Sequence, residues 1–175
     1  MQVISTNFEG LYILEPKVFH DERGLFFESY NSANLESKGL SFEFVQDNQS
    51  YSKYGVLRGL HFQNGEYAQT KLIRVLKGEI LDVVVDLREN SSTYLQSFSK
   101  ILSSDNKLQL LVPKGFAHGF VVLSPIADVL YKCDNYYNPS SEGGLRYDDP
   151  KLNIDWMISK EVLIVNQKDL DYEYL

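Results

Sequence analysis

KLIRVLKGEILDVVVDLR, residues 71–88, is the stretch whose reading decides the fold class. Two runs rich in Val, Ile and Leu flank Lys77-Gly78, so the chain reads as two strands meeting at a glycine turn, and the pattern predicts a hairpin. Short apolar runs of the same kind lie on either side: FEFVQDN and VLRGLHFQ before it, FSKILS, LQLLVPKGFAHGFVVLS and ADVLYKCDNYY after it. Nearer the N-terminus, YILEPKVFHDERGLFFESYN is punctuated by Pro16 and by a turn from Asp21 to Gly24, which predicts a second hairpin. The best helix candidate is NSANLESKG, residues 31–39, with Asn31 or Ser32 as its cap and Gly39 as its stop. SKEVLIVNQKDLDYEYL fits either a helix or an irregular tail, and periodicity does not separate the two. Many short strands with turn residues between them and little helix describe an all-β fold, a sandwich or a jelly-roll barrel carrying a few short helices.

At 175 residues the chain is long enough for one real core. It shows no internal repeat, low-complexity tract or linker rich in Pro, Gly and Ser, so residues 1–175 are expected to form a single domain. A formal charge of -7 argues against a nucleic-acid partner, which needs clustered Lys and Arg, and leaves room for an anionic small molecule where a few cations converge. Cys133 is the only cysteine, which excludes an intrachain disulfide and a cysteine zinc site and points to a reducing compartment. The start, MQVISTNFEG, has neither a basic region nor a long apolar stretch, and LQLLVP and VLIV are too short to span a bilayer. A cytoplasmic protein without membrane contact is expected.

Chemistry concentrates in GVLRGLHFQ, residues 55–63. In a regular strand alternate side chains face opposite sides, so Arg58, Leu60 and Phe62 are expected on one face and Gly59, His61 and Gln63 on the other. An imidazole in polar company near a guanidinium suits removal of a proton from an anionic substrate at neutral pH. Arg58, flanked by Leu57 and Gly59 in a buried-looking run, would be costly to bury without an anionic partner. PKGFAHGF, residues 113–120, turns at Pro113 and Gly115 and sets His118 between Ala117 and Gly119, small neighbours that leave room for a ligand. A hydrogen-bonded core residue is the alternative reading of either histidine. His20, beside an acidic turn, reads as a surface residue.

The spacing of PKGFAHGF resembles the second of the two cupin motifs, and LKGEILDVVVD resembles the glycine turn that closes the first. Cupins are small jelly-roll barrels, double-stranded β-helices, whose interior serves as a pocket and often holds a metal. The usual ligand set includes a His-x-His pair and a carboxylate. Here Gln63 stands two residues after His61, and the chain has only His20, His61 and His118, so neither a metal nor another cofactor is expected.

KVFHDERGLFFESYN, VQDNQSYSKYGVLRGLHFQ, AQTKLIRVLKGEILDVVVDLR, NKLQLLVPKGFAHGFVVLS and LYKCDNYYNPSSEGGLRYDDP follow one another in the order of the dTDP-4-dehydrorhamnose 3,5-epimerase family. The chain resembles that family from about residue 12 to about residue 156, with QKD near the C-terminus a weaker final match. The resemblance implies a cupin double-stranded β-helix, a homodimer with exchanged N-terminal strands, and a nucleotide-diphosphate sugar as substrate. It further implies cofactor-free inversion of carbons 3 and 5 of a 4-keto-6-deoxyhexose, a step in deoxysugar synthesis for surface polysaccharide. His61 would be the base, Tyr131 the acid, and Asp169 the carboxylate that orients the histidine. Lys71 is assigned to the enolate oxygen; Arg58 is the other fixed charge near His61, and the sequence leaves open which of the two faces carbon 4 and which faces the diphosphate. Arg23, Glu28, Gln46, Asn48, Arg58, His118, Glu142 and Lys168 map onto substrate contacts, and Tyr137 onto a ring that stacks on thymine. Arg23 and Glu28 are expected to serve the neighbouring subunit's pocket. Without the resemblance, Tyr131 and Tyr137 are two of twelve tyrosines and read as packing residues, and Asp169 belongs to a solvated acidic tail. An enzyme inverting one carbon, or a ketoisomerase, would share the base and most of the pocket; a non-catalytic sugar-nucleotide-binding cupin would use it for recognition alone.

Overall fold

Fourteen strands and two short helices make up the computed structural model, which describes residues 1–175. In chain order the strands are β1 (Gln2–Ser5), β2 (Tyr12–Glu15), β3 (Val18–Asp21), β4 (Gly24–Phe27), β5 (Gln46–Lys53), β6 (Val56–Gln63) and β7 (Lys71–Lys77). They continue with β8 (Glu79–Asp86), β9 (Ser97–Ser103), β10 (Gln109–Val112), β11 (Phe116–Val122), β12 (Ile126–Cys133), β13 (Glu142–Gly144) and β14 (Ile164–Val165). One sheet runs β1-β2-β10-β7-β12-β5 and the other β13-β6-β11-β8-β9, with β14 added parallel to β6. The β3–β4 hairpin turns between Asp21 and Gly24 as expected and pairs with neither sheet. Helix α1 (Ser32–Glu36) is capped by the Asn31 side chain, which accepts from the Asn34 N–H, and the chain turns away through Gly39. The C-terminal stretch holds both a strand, β14, and a helical turn, α2 (Gln167–Leu170).

The two sheets face each other as a jelly-roll barrel. Ile73, Val75, Leu110, Ala127 and Val129 of the first sheet meet Ile80, Val84, Leu102, Phe120 and Val122 of the second in the largest apolar cluster. A second cluster, with Leu57, Leu60, Leu81, Val83, Val85 and Trp156, covers the outer face of the second sheet. Strand β8 is thus apolar on both faces, which is why its sequence reads as a continuous run rather than an alternation. Each fully buried Leu, Ile or Val contributes about 1.5–3 kcal/mol to holding the layers together.

The predicted hairpin across Lys77-Gly78 does not form. β7 pairs with β10 and β12, and β8 pairs with β11 and β9, so Gly78 is a corner where the chain leaves one sheet for the other. β7 has both edges taken by β10 and β12, and β8 has both taken by β11 and β9, which leaves no edge on which the two could pair with each other. Gly78 has a positive φ, and a Cβ there would collide with the Ile126 carbonyl.

Regular alternation along β6 is also broken. His118 lies opposite His61 but Phe120 lies opposite Arg58, so three residues of β6 span two of β11 and the strand bulges at Gly59 and Leu60. Leu57 and Leu60 consequently share the outer cluster, while Arg58 and His61 share the interior face, against the expectation that they point apart. Arg58 is exposed within the cavity, so the expected cost of burying it does not arise. Gly59 has φ +116, and a Cβ there would stand 2.6 Å from both Gly119 Cα and the His118 carbonyl oxygen. Gly59→Ala is therefore expected to cost roughly 1–3 kcal/mol from the backbone conformation alone, with the collision added. Urea unfolding of the variant checks this, and a wild-type midpoint would show that β6 and β11 can separate there at no cost.

Candidate active site

The barrel interior is apolar at one end and polar at the other. Inward positions on β12 run Ala127, Val129, Tyr131, Cys133, and on β7 they run Val75, Ile73, Lys71, with Tyr131 opposite Ile73 and Cys133 opposite Lys71. On β5 the same face carries Ser52, Ser50, Asn48 and Gln46, with Asn48 opposite Tyr131. The second sheet brings Arg58 and His61 from β6 and His118 from β11. A cavity of about 560 Å³ lies between them, lined by Ser50, Arg58, His61, Lys71, His118, Tyr131, Lys168 and Asp169 among others. A smaller space of about 120 Å³ shares His61, Lys71 and Tyr131 with it and extends to Gln46, Asn48, Tyr137 and Glu142.

Eleven of the thirteen residues singled out from the sequence therefore line these two adjoining spaces. The other two do not join them within this chain. Arg23 sits at the tip of the β3–β4 hairpin, bonded to Asp21, and Glu28 accepts hydrogen bonds from the Asn31 and Asn34 side chains beside α1. His20 is exposed on β3.

Two histidine–carboxylate pairs face the cavity. His61 Nε2 is 2.6 Å from Asp169 Oδ1, and the other oxygen of Asp169 accepts the Gly59 N–H at 3.1 Å. Burial is the largest influence and works against the charge on Asp169, yet the hydrogen bond and charge of His61, the Gly59 N–H and the Lys168 ammonium together outweigh it and hold the carboxyl below its ordinary value of 3.8. A carboxylate can only accept, so in the neutral imidazole the N–H is on Nε2 and Nδ1 is left as an acceptor. His118 Nε2 lies 3.0 and 2.9 Å from the two oxygens of Asp82, a fully buried carboxyl that burial pushes up in pKa despite its histidine partner.

Lys71 reaches into the same space, its Nζ 6.0 Å from the centre of the Tyr131 ring. Burial pushes its amine down in pKa, with Cys133 and Asp82 only partly restoring it, and burial pushes the Tyr131 hydroxyl up. The phenol thus keeps its proton at neutral pH, while the ammonium is under-solvated. At the mouth, Glu142 Oε2 accepts from the Tyr137 hydroxyl and from Lys168 Nζ, both at 2.6 Å, and those bonds hold Glu142 ionised against its burial. Gln46 accepts the Tyr137 N–H and donates to Asn48. No three His, Cys, Asp or Glu side chains converge as metal ligands would.

Asp82, Ser50 and Tyr172 also belong to the site and were not singled out from the sequence. Asp82 had a signal: it is the one charge inside ILDVVV and shares a face with Ile80 and Val84. Ser50 continues the two-residue period of Gln46 and Asn48, and its hydroxyl is buried on the cavity wall without a protein partner. Of the two small residues beside His118, only one borders the cavity. Ala117 is in the outer cluster; Gly119 lines the cavity beside His118, and because a Cβ there would stand 2.7 Å from the Arg58 carbonyl oxygen, its smallness also admits the β6 bulge.

Residues 5–175 match the family model described as dTDP-4-dehydrorhamnose 3,5-epimerase. The chain belongs to that family. It is 55% identical over 161 residues to the dTDP-4-dehydrorhamnose 3,5-epimerase of Salmonella typhimurium, covering 91% of this chain and 88% of the relative. The crystal structure of the Bacillus anthracis dTDP-4-dehydrorhamnose 3,5-epimerase, with TDP and PPi bound, superposes with a TM-score of 0.96 at 50% identity, over 99% of each chain. The dTDP-6-deoxy-D-glucose-3,5-epimerase of Legionella pneumophila, in complex with dTDP-4-keto-L-rhamnose, gives 0.94 at 47% identity, over 99% of this chain and 92% of that one. This member of the epimerase family is thus an isomerase-type enzyme on the cupin barrel. None of its helices is long and apolar enough to cross a membrane.

The lowered pKa of Asp169 has a sign that can be tested. Its carboxylate contributes stability that is complete above the ordinary value of 3.8 and is lost as pH falls through the lowered folded value. Melting temperatures of wild type and Asp169→Asn should differ most near neutral pH and converge as acid protonates the carboxyl. A gap that stays constant down to strongly acidic pH would contradict the pairing.

Proposed function

We propose that this epimerase converts dTDP-4-dehydro-6-deoxy-D-glucose to dTDP-4-dehydro-L-rhamnose, with His61 as base and Tyr131 as acid. The observation that carries the reading is that these two side chains enter one cavity from opposite sheets, so a hexose held between them offers one face to each. The ketone at carbon 4 acidifies the hydrogens at carbons 3 and 5. His61 Nδ1 takes one of them, the C–H electron pair becomes an enolate with charge on the carbon 4 oxygen, and Tyr131 returns a proton to the same carbon from the other face. His61 then holds one proton more and Tyr131 one fewer, and exchange with solvent resets both. The second carbon follows by the same steps.

Asp169 keeps the His61 tautomer fixed and stabilises the imidazolium that forms. Lys71 is the enolate's counter-charge. Because burial already disfavours its ammonium, the developing oxyanion gains more from it than a neutral ketone does, which is the differential binding that lowers a barrier. Arg58 and His118 suit the diphosphate, Arg58 through its fork of donors. Tyr137, half exposed at the mouth, offers a face for the thymine ring, and Gln46, Asn48, Glu142 and Lys168 surround it.

The assembly we propose is a homodimer of single-domain subunits in the cytoplasm. The β3–β4 hairpin exposes Phe19, Leu25 and Phe26 and pairs with no sheet of its own chain, so docking it on a second copy would cover that apolar surface and deliver Arg23 and Glu28 to the partner's cavity.

In deuterated water the wild type should place deuterium at both carbon 3 and carbon 5 of the product. His61→Asn should lower turnover by about a hundred- to ten-thousand-fold with dTDP affinity little changed. Tyr131→Phe should still wash deuterium into the substrate while losing inversion. Normal turnover by the His61 variant would refute the assigned base, and label at one carbon alone would reduce the activity to a single inversion.

A further inference from the structure

Asp169 is carried by a segment that has to be pinned against β6 from outside. On one flank β14 pairs with it, Ile164 beside Val56 and Val165 beside Leu57, and the Ile164 N–H donates to the Gly55 carbonyl. On the other flank the Arg146 guanidinium donates to the Leu170 carbonyl, and Tyr172 folds back over β13. Gly144 of β13 lies directly opposite His61 in the sheet. A Cβ on Gly144 would collide with the Tyr172 ring, whose atoms are the three nearest to that position, so the ring rests on bare backbone. From that seat the ring stands edge-on to His61, with centroids 6.1 Å apart and planes at 62°.

We infer that Tyr172 is a positioning residue for the epimerisation, its ring seated on Gly144 and held against the His61 imidazole so that the His61–Asp169 pair keeps one geometry. The inference rests on His61 being the base. Asp169 fixes one nitrogen of the imidazole but leaves the ring free to swing about that hydrogen bond. A second contact on the ring removes this freedom and also covers the pair from water on that side. A misplacement of about 1 Å in a catalytic group costs on the order of a hundredfold in rate, so a wall that prevents it has a measurable effect on turnover while contributing nothing to nucleotide binding.

Gly144 allows the ring to be displaced without altering Tyr172. The test measures kcat and KM on dTDP-4-dehydro-6-deoxy-D-glucose, dTDP affinity by calorimetry and melting temperature for Tyr172→Phe, Tyr172→Ala, Gly144→Ala and the double variant Tyr172→Ala with Gly144→Ala. Tyr172→Phe should match the wild type. Tyr172→Ala and Gly144→Ala should each lower kcat by roughly 10- to 100-fold, with KM and dTDP affinity within about twofold. The double variant should be no worse than Tyr172→Ala, because the added methyl no longer meets a ring. The inference is overturned if Tyr172→Ala keeps wild-type kcat, if its defect is in KM, or if Gly144→Ala is equally harmful with and without the tyrosine. His61→Asn, measured alongside, separates the two failures. Loss of turnover there with a normal Tyr172→Ala removes only the positioning role, whereas normal turnover in His61→Asn removes the base itself.

Discussion

The close approach of two backbones, Gly59 on β6 and Gly119 on β11, is the constraint on which the rest of the site depends. Neither strand has room for a Cβ there, and at that point β6 carries one residue more than β11. That insertion has two effects. It turns Arg58 onto the face that carries His61, and it aims the Gly59 N–H at the same Asp169 carboxylate that holds the imidazole. A regular strand would give up both, since alternation would send the guanidinium into the apolar layer under the C-terminal segment.

Around that point the two sheets divide the work. The second sheet supplies the imidazoles, each with its own carboxylate, and the first supplies the ammonium and the phenol. The carboxylates reach their histidines by different routes. Asp82 comes from the neighbouring strand β8, where it shares the interior face, while Asp169 comes from a segment more than a hundred residues away in sequence. Glu142 ties the mouth together by accepting from Tyr137 and Lys168 at once, so the ring proposed to meet the base of the nucleotide is fixed to the same turn of helix that carries Asp169.

Strand positions were legible where an apolar run had clear turn residues at its ends, as in VLRGLHFQ, FSKILS and ADVLYKCDNYY. Pairing was less so. Gly78 looks like a hairpin turn because local sequence cannot say that both flanking strands take other partners on each edge. The bulge at Gly59 was hidden for a related reason: Gly-Leu reads as ordinary strand until Gly119 is known to lie against it. Eleven cavity-lining residues were legible through the family's motifs, but Tyr131 and Asp169 carry no local mark of the roles proposed for them. Their significance comes from a barrel that folds one inward and from a tail that packs the other down. Tyr172 has no mark at all outside its seat on Gly144.

The proposed place of Lys71 at the enolate oxygen bears on how the barrel could be blocked. A cation kept short of water is a poor host for a neutral guest and a good one for a flat, negatively charged ring. An inhibitor for this barrel should therefore imitate the planar anion rather than the chair-shaped sugar, and its charge belongs on the atom that takes the place of the ketone oxygen.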